Sequence, residues 1–448
     1  MRNPNLFAVQ DKRPESLVKT DVLIVGGGAA GVAAAVTAAR QGCRVTLVEQ
    51  YGFCGGGAVA GLSGTVCGLY KASDSNAPPE KIVHGFIDDF IDLMEHKGGL
   101  AAPVKYGKTY TRVHDPLVWR EVADALVRDA GVQVIYHATV TDMLLNGEHV
   151  GGAMVYTTQG KLRIEAAITI DASGDATPTA MAGFSTAMGD NGRVQNPTMI
   201  FRLLGVDVER FLACYGNDTI MPAEVSQLIA ACDGHGYALP RNKIWLFPTT
   251  RPGELLANCT RITGPDGREL NPVFYQDFTD AEFEGRCQVR EYARFFRDKL
   301  IGCEGSWVND TGVQVGVRQS RQIKGAATLR NVDILRGEKF SSGIARSPWP
   351  IELHAGARPK VEWLLDDYYE VPFGCFVPER GEGLLVAGRC LSAEHEAVAS
   401  ARVTAQCFSY GHAIGHAAAL AVKENIPSNR IVGEDIRLLL NRDGAQLD

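Results

Sequence analysis

Three groups of residues in this 448-residue chain have types and spacing that could do chemistry. The first is Gly26-Gly27-Gly28-Ala29-Ala30-Gly31, with Glu49 standing 18 residues past Gly31. Gly26 lets the chain turn sharply, Gly28 bares the backbone to a pyrophosphate, and Gly31 lets a helix approach a sheet. Ala30 stands in the motif just before that helix, whose free N–H groups and positive dipole end favour phosphate. Glu49 can accept hydrogen bonds from both hydroxyls of a ribose and would repel a 2′-phosphate, which disfavours NADP there. The second group is Tyr51-Gly52-Phe53-Cys54-Gly55-Gly56-Gly57-Ala58, where Gly55 and Gly56 keep the backbone bare for a long ligand. The third is dispersed: Arg318 and Arg321, Arg389 and Arg402 as cations, and His354, His395 and the Glu394/Glu396 pair as acid–base groups. Such residues hold an anion and move a proton.

These groups need elements to position them. Residues 21–25 form an apolar, β-branched strand, Val32 to Arg40 a helix of small residues, and Cys43 to Glu49 a second strand. Strand, Gly-x-Gly-x-x-Gly, helix, strand and acid together specify a dinucleotide site far better than the glycines alone. Val132–Tyr136, Ala138–Leu145 and Gly151–Tyr156 alternate as strands, and Asn146-Gly147 is a hairpin signal. Lys161–Ile170 then returns as a strand into Asp171-Ala172-Ser173-Gly174-Asp175, so a β-meander feeds back into the nucleotide sheet. Further on, Asn196–Leu204 predicts a strand and Phe283–Leu300 a helix whose arginines read as a solvated face. Trp245, Phe247, Trp307, Trp349 and Trp363 read mostly as core. Gly383–Gly388 predicts a buried strand, and Val403–Lys423 a helix whose Gly411 and Gly415 let it pack against the first helix. The predicted class is α/β: a Rossmann-like domain over 1–190 and 372–448, with an inserted α+β substrate domain over 191–371.

Composition narrows the function. Lys and Arg number 45 and Asp and Glu 52, a formal charge of −7, so no basic excess exists to bind a nucleic-acid backbone. Met1–Thr20 is polar and contains Pro4 and Pro14, without the apolar segment of a secretory leader. The two apolar stretches, Asp21–Ala39 and Val403–Val422, are interrupted by glycines or by Gln406, His412 and His416, so no membrane span is expected. Eleven cysteines include no C-x-x-C pair, which argues against a zinc site or a dithiol redox pair and suits a reducing cytoplasm. No second strand–Gly-x-Gly-x-x-Gly–helix unit is present to dock a nicotinamide cofactor.

The blocks Gly26–Gly31 with Glu49, Phe53–Gly56, Ile170–Asp175, Gly316–Arg321, Pro350–His354 and Leu385–Ala397 run in order along the chain. On them the chain resembles the FAD-dependent oxidoreductases of the two-dinucleotide-binding-motif type. The resemblance is to a bacterial, glutathione-reductase-2-like group related to the flavoprotein subunits of fumarate reductase and heterodisulfide reductase. It implies FAD, with the Val140 backbone near the adenine and Gly174 in the close turn beside the cofactor. It also implies that Gly388 and Arg389 lie at the pyrophosphate or ribityl side. Ser173 stands where the group more often has Thr, and the cluster cysteines of the heterodisulfide relatives are missing, which puts an iron–sulfur centre in doubt.

Because His395 follows the Gly388-Arg389 turn, it stands first as acid–base candidate, with His354 second and Arg318 and Arg321 as substrate anchors. The expected activity is hydride transfer between flavin N5 and a small polar metabolite, the arginines suggesting one that bears a carboxylate. Two alternatives stand beside it: an electron-transfer subunit of a larger redox complex, and an NAD-dependent enzyme without flavin. The electron donor or acceptor is not readable, and a homodimer is only a family-level implication.

Overall fold

The computed structural model describes residues 16–75, 77–354, 356 and 358–448. Residues 1–15, most of the stretch read as lacking a secretory leader, lie outside the described residues. Strand β1 (Ser16–Val25), helix α1 (Ala29–Arg40) and strand β2 (Val45–Val48) follow one another as the glycine motif predicts. Val22, Leu23 and Ile24 are fully buried, as befits a parallel strand covered on both faces. β1 pairs in parallel with β2 on one side, Val22↔Val45 through Val25↔Val48, and with Gly160–Asp171 on the other. Gln133–Ile135 adds a parallel strand outside β2, and Leu384–Val386 pairs with the end of Gly160–Asp171. The carboxyl ends of these strands share one edge, the place where open α/β sheets bind ligands.

The meander consists of Thr139–Asn146, His149–Thr157 and Gly160–Asp171 in antiparallel order, turning at Gly147 with φ +63°. Its last strand serves two partners in succession. Residues 160–165 pair with the meander, and residues 169–171 with the C-terminal strand. The helix Thr404–Glu424 lies against α1 as expected from its small residues. A Cβ at Gly411 would overlap the carbonyl of Ala30, and one at Gly415 would stand 2.7 Å from Ala34 O. The two helix backbones therefore touch.

A second, antiparallel sheet is ordered Trp245–Pro248, Glu254–Asn258, Phe201–Leu204, Trp307–Thr311. With the helix Tyr275–Lys299 it forms a separate core around Phe201, Phe211, Tyr292, Phe295 and Phe296. Two expectations shift here. Of the strand predicted over 196–204, only Phe201–Leu204 joins the ladder. Asn196 and Thr198 instead spend their side chains on Arg261 and Thr260. The helix predicted from Phe283 begins at Tyr275, because Asp277 ties its first turn to Arg268 and to the Asn271 N–H. Leu329, Ile334, Ile344, Ile351, Tyr369 and Val371 pack into the core around α1. The chain thus re-enters that core well before residue 372. No helix among the described residues is long and apolar enough to cross a membrane.

Candidate functional site

A cavity of about 420 Å³ runs from the carboxyl edge of the parallel sheet toward the second sheet. Its first part is lined by Gly26, Gly28, Ala29 and Ala30 from the β1–α1 turn, and by Gly55, Gly56 and Gly57 facing them. Glu49 to Tyr51, Ala138 to Val140, Ser173 to Asp175, Gly388 and Arg389 continue the lining. The glycines separate into two kinds. Gly26 has φ +103°, and a Cβ there would stand 2.5 Å from Ala172 O. A Cβ at Gly31 would overlap Gly26 O, so Gly31, which does not line the cavity, serves helix packing. Gly28 differs, with φ −70° and ψ −176°, a conformation open to any residue. A Cβ there would meet nothing nearer than Gly56 Cα at 3.8 Å, and one at Gly57 would meet nothing within 4 Å. Neither packing nor backbone geometry asks for glycine at these two places. What remains is the open cavity, a bare backbone cradle at the N-terminus of a 12-residue helix, and this fits a pyrophosphate.

Glu49 is buried at the tip of β2. The Gly27 N–H donates to its Oε2 at 2.6 Å and the Tyr51 N–H to its Oε1 at 2.9 Å. Burial raises its carboxyl above the ordinary value, and these two N–H groups pull the other way. Arg389 is largely committed within the protein. Its Nε donates to Gly174 O at 2.8 Å, NH1 to Val317 O at 2.9 Å and NH2 to Asp175 Oδ1 at 2.5 Å. It therefore clamps the 174–175 turn to residue 317 while one face lines the cavity. Gly174, with φ +77°, leaves room for that guanidinium.

The far end of the cavity is a chamber bounded by Cys67, Tyr106, Thr198, Ile200, Phe247, Asn258, Arg318, Trp349, Glu352, His354, Arg402 and Thr404. Arg318 donates to Asn196 O at 2.8 Å and Asn258 Oδ1 at 3.1 Å. Arg402 reaches Gln195 Oε1 at 3.4 Å, and its Nε has no partner. Arg241, fully buried just behind, approaches His354 Nδ1 at 3.2 Å and leaves Nε and NH1 unpartnered. Among the described residues, no carboxylate pairs with any of these three guanidiniums. The one acid of the chamber, Glu352, accepts from Tyr106 OH at 2.7 Å and lies 3.8 Å from His354 Nε2. Burial drives His354 well below its usual pKa, helped by Arg318, Arg241 and Arg402. Burial also lowers Arg318 well below its ordinary value and brings Arg402 down to about 10. Tyr106 moves well upward through burial and Glu352. The Gln195 amide and the Trp349 indole N–H are orphaned too. The orphan atoms of Arg402, Arg241, Gln195 and Trp349 are N–H donors, and with the three guanidiniums they make this end favourable to an anion.

The structure brings His354 and Arg318 into this chamber and leaves His395 and Arg321 out of it. His395 opens the helix His395–Ala401, with Nδ1 near Gly189. Arg321 donates to Asp175 O at 3.0 Å and to Thr177 Oγ1, bracing the turn from outside. Glu394 accepts from the Asn331 N–H and Glu396 pairs with Lys360. Of the two histidines put forward as acid–base candidates, only His354 lines the cavity. Adjacency to the Gly388 turn in sequence did not carry His395 to the cavity; its ring lies beside Gly189 instead. Tyr106, Gln195 and Arg241 carried no sequence signal of their own. Arg402, one of the candidate cations, does line the cavity, together with Val403 and Thr404 that follow it.

Elsewhere, His412, His416 and Asp443 converge, with His416 Nε2 2.8 Å and His412 Nε2 3.5 Å from Asp443 Oδ2. The Phe86 N–H donates to His412 Nδ1 at 3.4 Å, which leaves the ring proton on Nε2, facing the carboxylate. A metal ligand would need the opposite tautomer. The trio fits a hydrogen-bonded clasp, with Asp443 held at about 2 by the bond from His412 and His416 brought to about 4 by burial.

Comparison with known proteins agrees with this geometry. A family model described as FAD dependent oxidoreductase matches residues 21–440. An FAD-dependent oxidoreductase of Monascus ruber is 50% identical over 54 residues, 12% of this chain and 12% of that protein. The cinnamate reductase of Clostridium sporogenes is 29% identical over 163 residues, 36% of this chain and 23% of that protein. The match thus spans under a quarter of either relative. A geranylgeranyl bacteriochlorophyll reductase-like protein from Thermoplasma acidophilum has a TM-score of 0.51 at 13% identity, covering 95% of this chain and 84% of that one. At that identity the likeness is one of fold.

Proposed function

The chain belongs to the FAD dependent oxidoreductase family, and from that premise we propose that it oxidises or reduces a small carboxylate-bearing substrate held in the arginine chamber. The alternative of an NAD enzyme without flavin falls with the family match. The observation that carries the reading is the buried cluster of guanidiniums without carboxylate partners. Burying such charge uncompensated costs several kcal/mol, roughly 3–5 for one unpaired group, and a bound anion removes that cost.

The cofactor residues divide the work as follows. Gly28, Gly57 and the N-terminus of α1 hold the pyrophosphate, while Glu49, fixed by two N–H groups, accepts from ribose hydroxyls. Val140 borders the adenine, and Gly174, Gly388 and Arg389 shape the wall between cofactor and chamber. When bound, FAD supplies two-electron exchange, as hydride, with the substrate. In the chamber, Arg318 and Arg402 orient the carboxylate, with the positive end of the helix Thr404–Glu424 adding to their field. His354 stays neutral, because its pKa is depressed and Arg241 occupies Nδ1. Its protonated Nε2 faces Glu352, and Tyr106 completes a buried line of proton-carrying groups.

The test is an anaerobic titration of the purified flavoprotein with a panel of carboxylates, followed at the flavin's visible band. In a second arm, the dithionite-reduced protein is offered unsaturated or keto acids. A spectral change of redox type with one carboxylate, absent with its amide and lost in Arg402→Gln, supports the reading. No response to any carboxylate in either arm overturns it.

A further inference from the structure

Resting on that reading, we infer that the substrate is a carboxylate with a flat, apolar, aromatic body rather than a short aliphatic or heavily hydroxylated acid. The juxtaposition is a cation end set against an aromatic wall. Tyr106, Phe247 and Trp349 line the same chamber as Arg318 and Arg402. The Tyr106 ring lies 5.0 Å from Trp349, tilted by 49°, and 6.3 Å from Phe247 at 21°. Ile200 adds an aliphatic side. Aromatic faces assembled this way accept a flat ring by offset or edge contact, and they bury it from water.

The wall also says what the body lacks. A hydroxylated acid brings several donors and acceptors that need partners once buried. Along the wall, the Tyr106 hydroxyl is spent on Glu352, and Phe247 and Ile200 offer none. The unpartnered Trp349 indole N–H and Arg402 Nε are both donors. The charged groups lie at the other end, where Arg318 and Arg402 also line the chamber. A short dicarboxylate brings no apolar body for Tyr106, Phe247, Trp349 and Ile200 to bury. Pockets of this construction, mostly apolar with a few convergent polar groups, take the orientation of the ligand from those groups.

The experiment titrates the FAD-loaded protein with benzoate, phenylacetate, butyrate, succinate and benzamide, none of which needs to react. Binding is read from perturbation of the flavin absorbance and, independently, from the shift in thermal unfolding temperature. Benzoate or phenylacetate should bind at least tenfold more tightly than butyrate and succinate. Trp349→Leu should cut that ratio to threefold or less, while Trp349→Phe keeps it, and the FAD content of each variant reports folding. Butyrate or succinate binding as well as benzoate overturns the inference and leaves the carboxylate reading standing. Benzamide binding as well as benzoate removes the carboxylate reading, and with it the inference. If no probe binds, both fall. If Trp349→Leu does not hold FAD, the wild-type ratios and the Trp349→Phe variant still decide.

Discussion

The two kinds of glycine in the β1–α1 turn give a sharp experiment, because one substitution should damage the fold and the other only the cofactor. At Gly31, a Cβ would overlap Gly26 O and stand 3.0 Å from Gly26 C and 3.3 Å from Ala172 Cβ. Two of those three neighbours are backbone, which cannot rotate aside. Gly31→Ala must push α1 off the sheet, and overpacking of this kind costs about 1–3 kcal/mol or somewhat more. At Gly28 the nearest contact would be 3.8 Å and the dihedrals suit alanine. Restricting the unfolded chain favours Gly28→Ala by about 0.4–1 kcal/mol, and exchanging glycine for alanine at a helix N-cap costs a similar amount, roughly 0.5–1 kcal/mol. The apoprotein should therefore melt within a few degrees of wild type. The methyl group still enters the cradle, so FAD affinity should fall at least tenfold, or about 1.4 kcal/mol. The assay pairs thermal unfolding of the apoproteins with fluorescence titration of FAD. Unchanged FAD affinity in Gly28→Ala would show that this backbone does not face the cofactor. Normal stability in Gly31→Ala would refute the packing argument.

Other expectations are as direct. Glu49→Ala should weaken FAD binding by about 1–3 kcal/mol, the range for hydrogen bonds to a charged group, and equal reconstitution at matched FAD concentrations would contradict the placement. His114 is buried against Trp119 with both ring nitrogens unpartnered, and burial lowers its pKa from 6.5 to about 4. The unfolded chain binds a proton there at higher pH than the folded one, so stability falls as pH drops from about 6.5 to about 4, by roughly 3 kcal/mol for this group. His114→Phe should flatten that limb of the denaturation curve, and a curve as steep as wild type would exclude His114 as a cause. Gly411→Ala should destabilise by more than about 1 kcal/mol through its overlap with Ala30 O; circular-dichroism melts would show it, and an unshifted midpoint would mean that the helices can part without loss.

The cofactor half of the molecule was largely legible because its chemistry is local. The glycine motif, Glu49 and the 55–57 cluster lie within 57 residues, and short-range rules of turn and helix place them. The meander was legible for the same reason, from alternation and an Asn-Gly turn. The chamber was legible only in part: Arg318, Arg402 and His354 stood among the candidates, but not as one cluster. Tyr106, Arg241, Arg318, Glu352 and Arg402 come from segments that span almost three hundred residues, and only the packing of the second sheet on the first unit brings them together. Neighbourhood in sequence even misled, since His395 follows the glycine turn yet ends beside Gly189. Overall charge carried no signal of the chamber. The chain carries a net −7, which says nothing of a cationic centre. Its acids are mostly exposed or paired on the surface, while Arg241, Arg318 and Arg402 are buried around one glutamate. If the proposed carboxylate binds there, its desolvation must be offset locally, by the guanidiniums and the aromatic wall together, because a net charge of −7 offers an anion no general attraction.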